Sequence, residues 1–205
     1  MKIVDLSVAV NENTPAYPGD PKIKIEKIGT FEEDTYNDHL VSFGIHSSGT
    51  HIDAPFHMVA EGKSLEQIHI SQFVGRGRLI KVEGKFDMQT VRNAGIEEED
   101  IVLFHTGFSR FYGQDDKYYG DGRPEMTEKI ANYLVEKKVK MIGLDMCSPD
   151  KEPFKIHRIL LENEILIIEN MTNLDQLESK KFTVYALPIN LQLDGGPARV
   201  IAQIN

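Results

Sequence analysis

Apolar positions along the chain follow two periods, and each period predicts one kind of element. Residues 22–28 largely alternate between charged and apolar side chains, which is the pattern of a strand with one exposed face. Residues 127–138 carry apolar side chains at helical spacing behind Thr127, a good N-cap residue. Further patterns predict strands at 2–10, 39–46, 74–83, 101–104, 141–145, 165–169 and 183–188, and a short helix at 154–162.

The order of these elements predicts the class of fold. Strands and helices alternate through much of the chain, but the first third is rich in strands with little helix between them. We therefore expect an α/β protein with a mixed sheet or a partly closed barrel and flanking helices. A length of 205 residues suits one well-filled domain and is short for two, so we expect a single domain over residues 1–205.

Composition and charge exclude several classes of protein. With 40% hydrophobic and 27% charged residues, the chain is typical of a globular protein. The net charge is −9 and no basic cluster is present, so we expect no nucleic-acid partner. No run approaches the roughly 20 apolar residues of a membrane span. The single cysteine, Cys147, excludes an internal disulfide and favours a reducing compartment, so we expect a cytoplasmic protein.

The segment at residues 49–57, GTHIDAPFH, is the strongest local signal for chemistry. In an extended chain, residues two apart face the same side, so His51 and Asp53 point together. An imidazole and a carboxylate converging in this way form half of a divalent-metal site. His57 could lie outside the metal shell as a general base or acid. Taken alone, a His-x-Asp pair is more often a surface feature near a turn.

A second stretch strengthens the metal hypothesis. Residues 165–169 are almost purely apolar and end in Glu169, whose carboxylate would be costly to bury without a cation or a proton. His157 lies twelve residues earlier on the predicted short helix, where a lone histidine is more often a packed core residue. Together with His51 and Asp53, these residues give two imidazoles and two carboxylates, the ligand mix of hydrolytic zinc or manganese sites.

The GTHIDAPFH segment resembles the signature of the cyclase-like metal-dependent hydrolases, a family that includes bacterial kynurenine formamidase and isatin hydrolase. Matching segments extend over nearly the whole chain in the same order, at residues 14–20, 143–150, 157–174 and 187–199. The resemblance implies a swivelling β/β/α domain with a mixed, barrel-like sheet. It also implies assembly as a homodimer or a larger homo-oligomer.

The resemblance further implies a ligand set for a divalent metal, with zinc as the first candidate and manganese as the second. His51 would bind one ion and His157 a second ion. Asp53 and Glu169 would bridge the two. The fit to the family pattern therefore allows one or two ions per chain.

Roles in catalysis also follow from the resemblance. His57 would carry the proton, and Tyr17 would lie against the ring of a small-molecule amide substrate. The implied activity is hydrolysis of an amide, formamide or cyclic amide, for example N-formylkynurenine to kynurenine and formate in tryptophan catabolism. Two alternatives use the same residues: a cyclase or lactone hydrolase, and a metal- or ligand-binding module with little catalytic activity.

The chain departs from the family pattern at Ser47, where the family has a further metal-ligating histidine. A histidine stands one residue earlier, at His46. In a strand, a shift of one residue turns a side chain to the opposite face. A bulge could let His46 reach the metal, Ser47 and a water molecule could fill the gap, or the first ion could bind weakly.

Overall fold

A mixed sheet organises the chain in the computed structural model, which describes residues 1–205. The strands are β1 (Lys2–Asp5), β2 (Lys24–Gly29), β3 (Asp38–Ser42), β4 (His51–Asp53), β5 (Val74–Lys81), β6 (Ile101–His105), β7 (Met141–Leu144), β8 (Leu166–Glu169), β9 (Phe182–Pro188) and β10 (Gly195–Ile204). The helices are α1 (Phe31–Asp34), α2 (Met88–Asn93), α3 (Asp115–Tyr118), α4 (Glu128–Glu136) and α5 (Lys155–Glu162). No helix has the length and apolar character needed to span a membrane.

Strand β10 closes the sheet into a barrel. It pairs with both β4 and β9, so the order β10-β4-β8-β7-β6-β5-β9 returns to β10, while β1 pairs only with β10. The pairs β5–β6, β6–β7 and β7–β8 are parallel, and the other pairs are antiparallel. The predicted α/β fold with a mixed, barrel-like sheet and flanking helices is therefore confirmed. Strands β2 and β3 form a separate hairpin whose side chains are mostly exposed.

Two apolar clusters pack on the two faces of the barrel wall. Side chains of β8 alternate between them: Leu166 and Ile168 join one cluster, while Ile167 packs with residues of α4 and α5 in the other. Burial on both faces explains why the central parallel strands are almost continuously apolar in sequence. Since alternation has a period of two, Glu169 at the end of β8 shares the helix-facing side of Ile167.

Helices α4 and α5 form where the sequence predicts them. Thr127 caps α4 by accepting a hydrogen bond from the backbone N–H of Ile130, as its position before the apolar pattern predicts. Helix α5 turns His157 towards the protein interior, where only 3% of the residue is exposed. The imidazole of His157 therefore lies beside the end of β8.

Two predicted strands extend beyond the strands found, and one strand was not predicted. The predicted strand 2–10 ends at Asp5, where the side chain accepts a hydrogen bond from the N–H of Ser7 and turns the chain. The predicted strand 39–46 ends at Ser42, and residues Ile45–Ser47 form a 3₁₀ turn. Strand β10 was not expected, because Gly195, Gly196 and Pro197 at its start are poor strand formers.

Gly77 marks a position in β5 where the barrel wall has no room for a side chain. A Cβ atom built on this residue would overlap the ring of Phe182 on β9. We expect Gly77→Ala to lower the free energy of unfolding by about 2 kcal/mol, since overpacking a closed core forces neighbours to move. Gly122→Ala is the matched control, because no atom lies within 4 Å of its added Cβ. Urea denaturation with equal midpoints for the two variants would contradict this account.

Candidate metal centre

Neighbouring strands β4 and β8 bring three of the predicted ligands together. Their antiparallel register places His51 opposite Glu169, and Asp53 lies two residues further along β4. His51 Nε2 is 3.4 Å from Asp53 Oδ1 and 3.5 Å from Glu169 Oε2. All three residues are buried, with exposed fractions of 0%, 1% and 5% for His51, Asp53 and Glu169. The expected convergence of His51 and Asp53 is present.

Helix α5 adds the fourth predicted ligand. His157 Nε2 lies 3.3 Å from Glu169 Oε1 and 3.8 Å from Asp53 Oδ2. The four side chains that sequence analysis selected from two distant stretches thus surround one point. Two of them are carboxylates, so this point carries strong negative potential unless a cation balances it.

Unpaired buried atoms show that the cluster fits a divalent metal ion. His51 Nε2, Asp53 Oδ2 and Glu169 Oε1 are shielded from solvent and have no hydrogen-bond partner. Leaving three such atoms without partners is costly, whereas one cation would satisfy all of them. Imidazole nitrogen and carboxylate oxygen are donors that both zinc and manganese accept.

The imidazoles of His51 and His157 are held in the orientation that metal ligands require. His51 Nδ1 is 2.9 Å from the carbonyl oxygen of Gly49, and His157 Nδ1 is 2.5 Å from Asp150 Oδ1. Asp150 also accepts a hydrogen bond from the backbone N–H of Ile156, which fixes its carboxylate. Each histidine therefore donates from Nδ1 and directs Nε2 towards the carboxylates.

The unexpected geometry of residues 45–47 decides where His46 and Ser47 point. In the 3₁₀ turn, side chains do not alternate as they would in a strand, so no bulge is needed to admit His46. His46 Nδ1 lies 2.9 Å from Asp53 Oδ1. Ser47 instead faces the turn at residues 14–20: its hydroxyl donates to Asp20 Oδ2 at 2.8 Å and accepts from the N–H of Tyr17 at 3.3 Å.

Asp194 is a member of the site that sequence analysis missed. Its Oδ2 atom lies 2.7 Å from His46 Nε2 and 3.4 Å from His57 Nδ1. The rings of His46 and His57 lie close together, with centroids 3.8 Å apart and planes tilted by 34°. Asp194 stands immediately before the Gly195-Gly196 pair that opens β10, and an acidic residue at such a backbone turn is the only signal in the sequence.

Hydrogen bonds to carboxylates control the protonation of the cluster. Burial alone would lower the pKa of His46, but its bonds to Asp194 and Asp53 outweigh this effect and raise the pKa to about 10. For His157, the hydrogen bond to Asp150 and the nearby carboxylate of Glu169 likewise overcome burial and raise the pKa to about 10. Without a metal ion, protons on these imidazoles therefore supply the positive charge that the carboxylates need.

His57 and Asp194 differ from the other titratable groups of the site. Burial lowers the pKa of His57, so its imidazole is neutral near pH 7. The hydrogen bond to His46 lowers the pKa of Asp194 to about 2. A neutral histidine beside an ionised carboxylate is the arrangement of a proton acceptor with a fixed orientation.

Asp53, His157 and Glu169 of this cluster line a cavity with a volume of about 210 Å³, together with His46 and His57. Three aromatic side chains, Tyr17, Tyr119 and Phe154, also line it. The rings of Tyr17 and Tyr119 meet edge to face with centroids 5.7 Å apart. No lysine or arginine lines the cavity.

Cys147 also lines the cavity but is not activated as a nucleophile. Burial raises the pKa of its thiol to about 12, and the nearby guanidinium of Arg123, with Nη1 2.8 Å from Sγ, does not overcome this effect. A thiolate is the reactive form of cysteine, so the thiol present here is unreactive at neutral pH.

Comparison with known proteins agrees with this fold and site. The family model described as "Putative cyclase" matches residues 4–151, more than half of the chain. The kynurenine formamidase of Bacillus cereus is 30% identical, covering 97% of this chain and 95% of the relative.

A solved structure described as a potential metal-dependent hydrolase with cyclase activity is 26% identical, with a TM-score of 0.81, over 98% of this chain and 96% of that chain. An isatin hydrolase bound to the product analogue thioisatinate is 22% identical, with a TM-score of 0.88, over 98% of this chain and 91% of that chain, and shows the same fold.

The chain has a closed mixed barrel, with buried imidazoles and carboxylates at the ends of β4 and β8. This fold and this site place it in the class of metal-dependent hydrolases. The matching family model and the relatives at about 30% identity then give the family. The chain belongs to the cyclase family.

The proposed ligands can be tested by metal content. We expect His51→Ala, Asp53→Ala and Glu169→Ala each to reduce the zinc or manganese that copurifies with the protein and to lower its Tm in the presence of metal. His69→Ala is the control, because His69 is exposed and lies outside the cavity. Elemental analysis of chelator-free preparations is the measurement. Unchanged metal content in all three variants would remove these residues from the ligand set.

The raised pKa values of His46 and His157 predict a pH dependence of stability. A histidine with a raised pKa contributes stability that is complete below its ordinary pKa of 6.5 and is lost as pH approaches about 10. We expect the Tm of the metal-free protein to fall as pH rises from 6.5 towards 10. The increase in Tm on adding zinc should grow over the same interval, since the ion replaces protons.

Differential scanning fluorimetry at several pH values, with chelator and with zinc, measures both trends. His157→Asn provides the comparison, because it removes one of the two groups and should flatten the curve of the metal-free protein. A metal-free Tm that stays constant or rises over this interval would show that these imidazoles do not stabilise the cluster as argued.

Proposed function

We propose that this protein is a metal-dependent hydrolase that cleaves the carbon–nitrogen bond of an amide, with residues 1–205 forming one catalytic domain. The observation that carries the proposal is the set of unpaired buried ligand atoms on His51, Asp53 and Glu169, next to the neutral imidazole of His57. The family membership supports the same class of reaction, because relatives named kynurenine formamidase and isatin hydrolase act on amide bonds.

His51, Asp53, His157 and Glu169 would hold the metal ion, with zinc as the first candidate and manganese as the second. When bound, a divalent cation supplies positive charge that polarises a substrate carbonyl and acidifies water. The two carboxylates keep the net charge of the centre low. Gly49 and Asp150 hold the two imidazoles in place through Nδ1.

His57 would act as the general base and then as the general acid. Its Nδ1 atom faces Asp194, so its Nε2 atom is the one available to take a proton from water in the cavity. The same proton can then pass from Nε2 to the leaving nitrogen. Because burial lowers the pKa of His57, the imidazole is ready to accept a proton at neutral pH.

The cavity favours a small substrate with an aromatic ring. Tyr17, Tyr119 and Phe154 offer ring surfaces, and the volume of about 210 Å³ is below the roughly 300 Å³ at which pockets for drug-sized ligands begin. N-formylkynurenine is the first candidate, and water would convert it to formate and kynurenine. Cyclic amides of the isatin type are the second class to test, since the isatin hydrolase fold superimposes over 98% of this chain.

Assembly and location of the enzyme are also part of the proposal. A homodimer or a larger homo-oligomer is supported by the β2–β3 hairpin, on which Ile28, Phe31, Tyr36 and Leu40 are all more than half exposed. Such a run of apolar side chains is suited to contact with another copy of the chain. We place the enzyme in the cytoplasm because its single cysteine is free and reduced.

His57→Ala tests the catalytic assignment. We expect kcat for the best substrate of an amide and lactone panel to fall by about 10²- to 10⁴-fold, since a general base contributes on this scale. The content of bound metal should stay unchanged, and the exposed control His69→Ala should match the wild type in both measurements.

A reaction in oxygen-labelled water distinguishes a hydrolase from a cyclase. Label in the acid product supports hydrolysis, whereas unlabelled product identifies a cyclase that uses the same residues. Equal rates for the wild type and His57→Ala with every substrate would instead indicate a binding module.

A further inference from the structure

We infer that Asp20 sets the charge preference of the cavity and selects substrates in which a positively charged group, such as a protonated amine, accompanies the aromatic ring. The inference deepens the proposed function and rests on it for the reaction. The charge preference itself can be measured by binding alone, without turnover.

A tight turn places Tyr17 and Asp20 side by side. The backbone N–H of Asp20 donates to the carbonyl oxygen of Tyr17 at 2.9 Å, which closes a four-residue turn. Pro18 and Gly19 occupy the centre of this turn, and Gly19 has a φ of 98°, which glycine adopts without strain. Both residues at the ends of the turn line the cavity.

Ser47 orients the carboxylate of Asp20. Its hydroxyl donates to Asp20 Oδ2 at 2.8 Å and accepts a hydrogen bond from the N–H of Tyr17 at 3.3 Å. Asp20 Oδ1 makes no hydrogen bond, and Asp20 forms no ion pair with any lysine, arginine or histidine. The turn therefore presents a carboxylate that is held in place and lacks a positive partner.

The charge of Asp20 is separate from the charges of the candidate metal centre. Asp53 and Glu169 are buried against the imidazoles of His51 and His157. Asp20 is exposed, and it belongs to neither group of residues whose donor atoms lie close enough together to share an ion. A cation at the centre would therefore balance Asp53 and Glu169 and leave Asp20 uncompensated.

Two tyrosine rings accompany this carboxylate. The rings of Tyr17 and Tyr119 meet with centroids 5.7 Å apart. Both tyrosines and Asp20 line the inner cavity and also an open groove outside it, so they stand where the two spaces meet. A carboxylate and the faces of aromatic rings both attract an ammonium group.

The surroundings favour the same sign of charge on the ligand. No lysine or arginine lines the cavity. The outer groove contains Asp115 and Asp116, and Lys22 is its one basic residue. A substrate carboxylate near Asp20 would meet like charge, which discriminates against such a ligand. We therefore expect an ammonium group to be preferred to a neutral group, and a neutral group to a carboxylate.

Binding of three matched ligands tests this order. The ligands are ortho-aminophenyl ketones, the products of formamide hydrolysis, with side chains that end in an ammonium, a methyl or a carboxylate group. Isothermal titration calorimetry of the zinc-loaded wild type should give the lowest Kd for the ammonium compound and the highest for the carboxylate compound.

Substitution of Asp20 should remove the preference. We expect Asp20→Asn to raise the Kd of the ammonium compound about 5- to 20-fold, the scale of one hydrogen-bonded charge pair open to solvent. The Kd of the methyl compound should stay nearly unchanged. Because an amide oxygen can still accept a hydrogen bond from Ser47, the turn should persist in this variant.

Two further variants distinguish a direct contact from a change in net charge. Asp20→Lys should reverse the order and favour the carboxylate compound. Asp175→Asn removes an equal charge from an exposed position outside the cavity, so it should match the wild type with all three ligands.

Kinetics with the corresponding formamides connect the preference to the reaction. We expect kcat/KM for the ammonium formamide to fall in Asp20→Asn by the same factor by which its Kd rises. The loss should be in KM, with kcat nearly unchanged, since Asp20 makes no hydrogen bond to His57 or to the proposed ligands.

Equal Kd values for the ammonium and methyl compounds in the wild type would overturn the inference. So would an ammonium preference that survives in Asp20→Asn, or failure of all three compounds to bind. Failure of the proposed function has a different appearance, namely an ammonium preference that depends on Asp20 in a protein that hydrolyses none of the formamides.

Discussion

Two buried carboxylates that require a positive partner set the constraint on which this structure depends. Asp53 and Glu169 end adjacent strands of the barrel and are almost completely shielded from solvent. Buried carboxylates without compensation would ordinarily become protonated or destabilise the fold. Here, four imidazoles surround them, and the unpaired ligand atoms of three residues face the same point. The site is therefore built around a cation, and the surrounding residues orient its ligands.

The barrel topology makes that convergence possible. His51 and Glu169 meet because β4 runs antiparallel to β8 in one particular register, and a slip by one residue would turn one side chain to the opposite face. Closure through β10 adds Asp194 from the other neighbour of β4, since the residue before Gly195 lies at the end of the paired strands. The candidate metal centre and the proposed base, His57, thus both lie beside β10, the strand that closes the barrel.

Local patterns in the sequence predict much of this arrangement. The alternation around His51 and Asp53, the apolar strand ending in Glu169 and the helix carrying His157 each depend on near neighbours in the chain, and each is found in the structure. Asp194 and Tyr119 enter the site through long-range closure of the barrel and through loop packing. No local period encodes these contacts, so they could not be found from one sequence.

The 3₁₀ turn at residues 45–47, where a strand was predicted, determines which partners His46 and Ser47 contact. A strand would have sent His46 and Ser47 to opposite faces, whereas the 3₁₀ turn lets each find a separate polar partner. Ser47 holds the segment of Tyr17 and Asp20, which lines the cavity, through two hydrogen bonds. His46 bridges Asp53 and Asp194 between the metal side and the proposed base. The position at which the family pattern has a metal-ligating histidine therefore holds the turn at residues 14–20 here, and the adjacent imidazole of His46 contacts the carboxylates of Asp53 and Asp194.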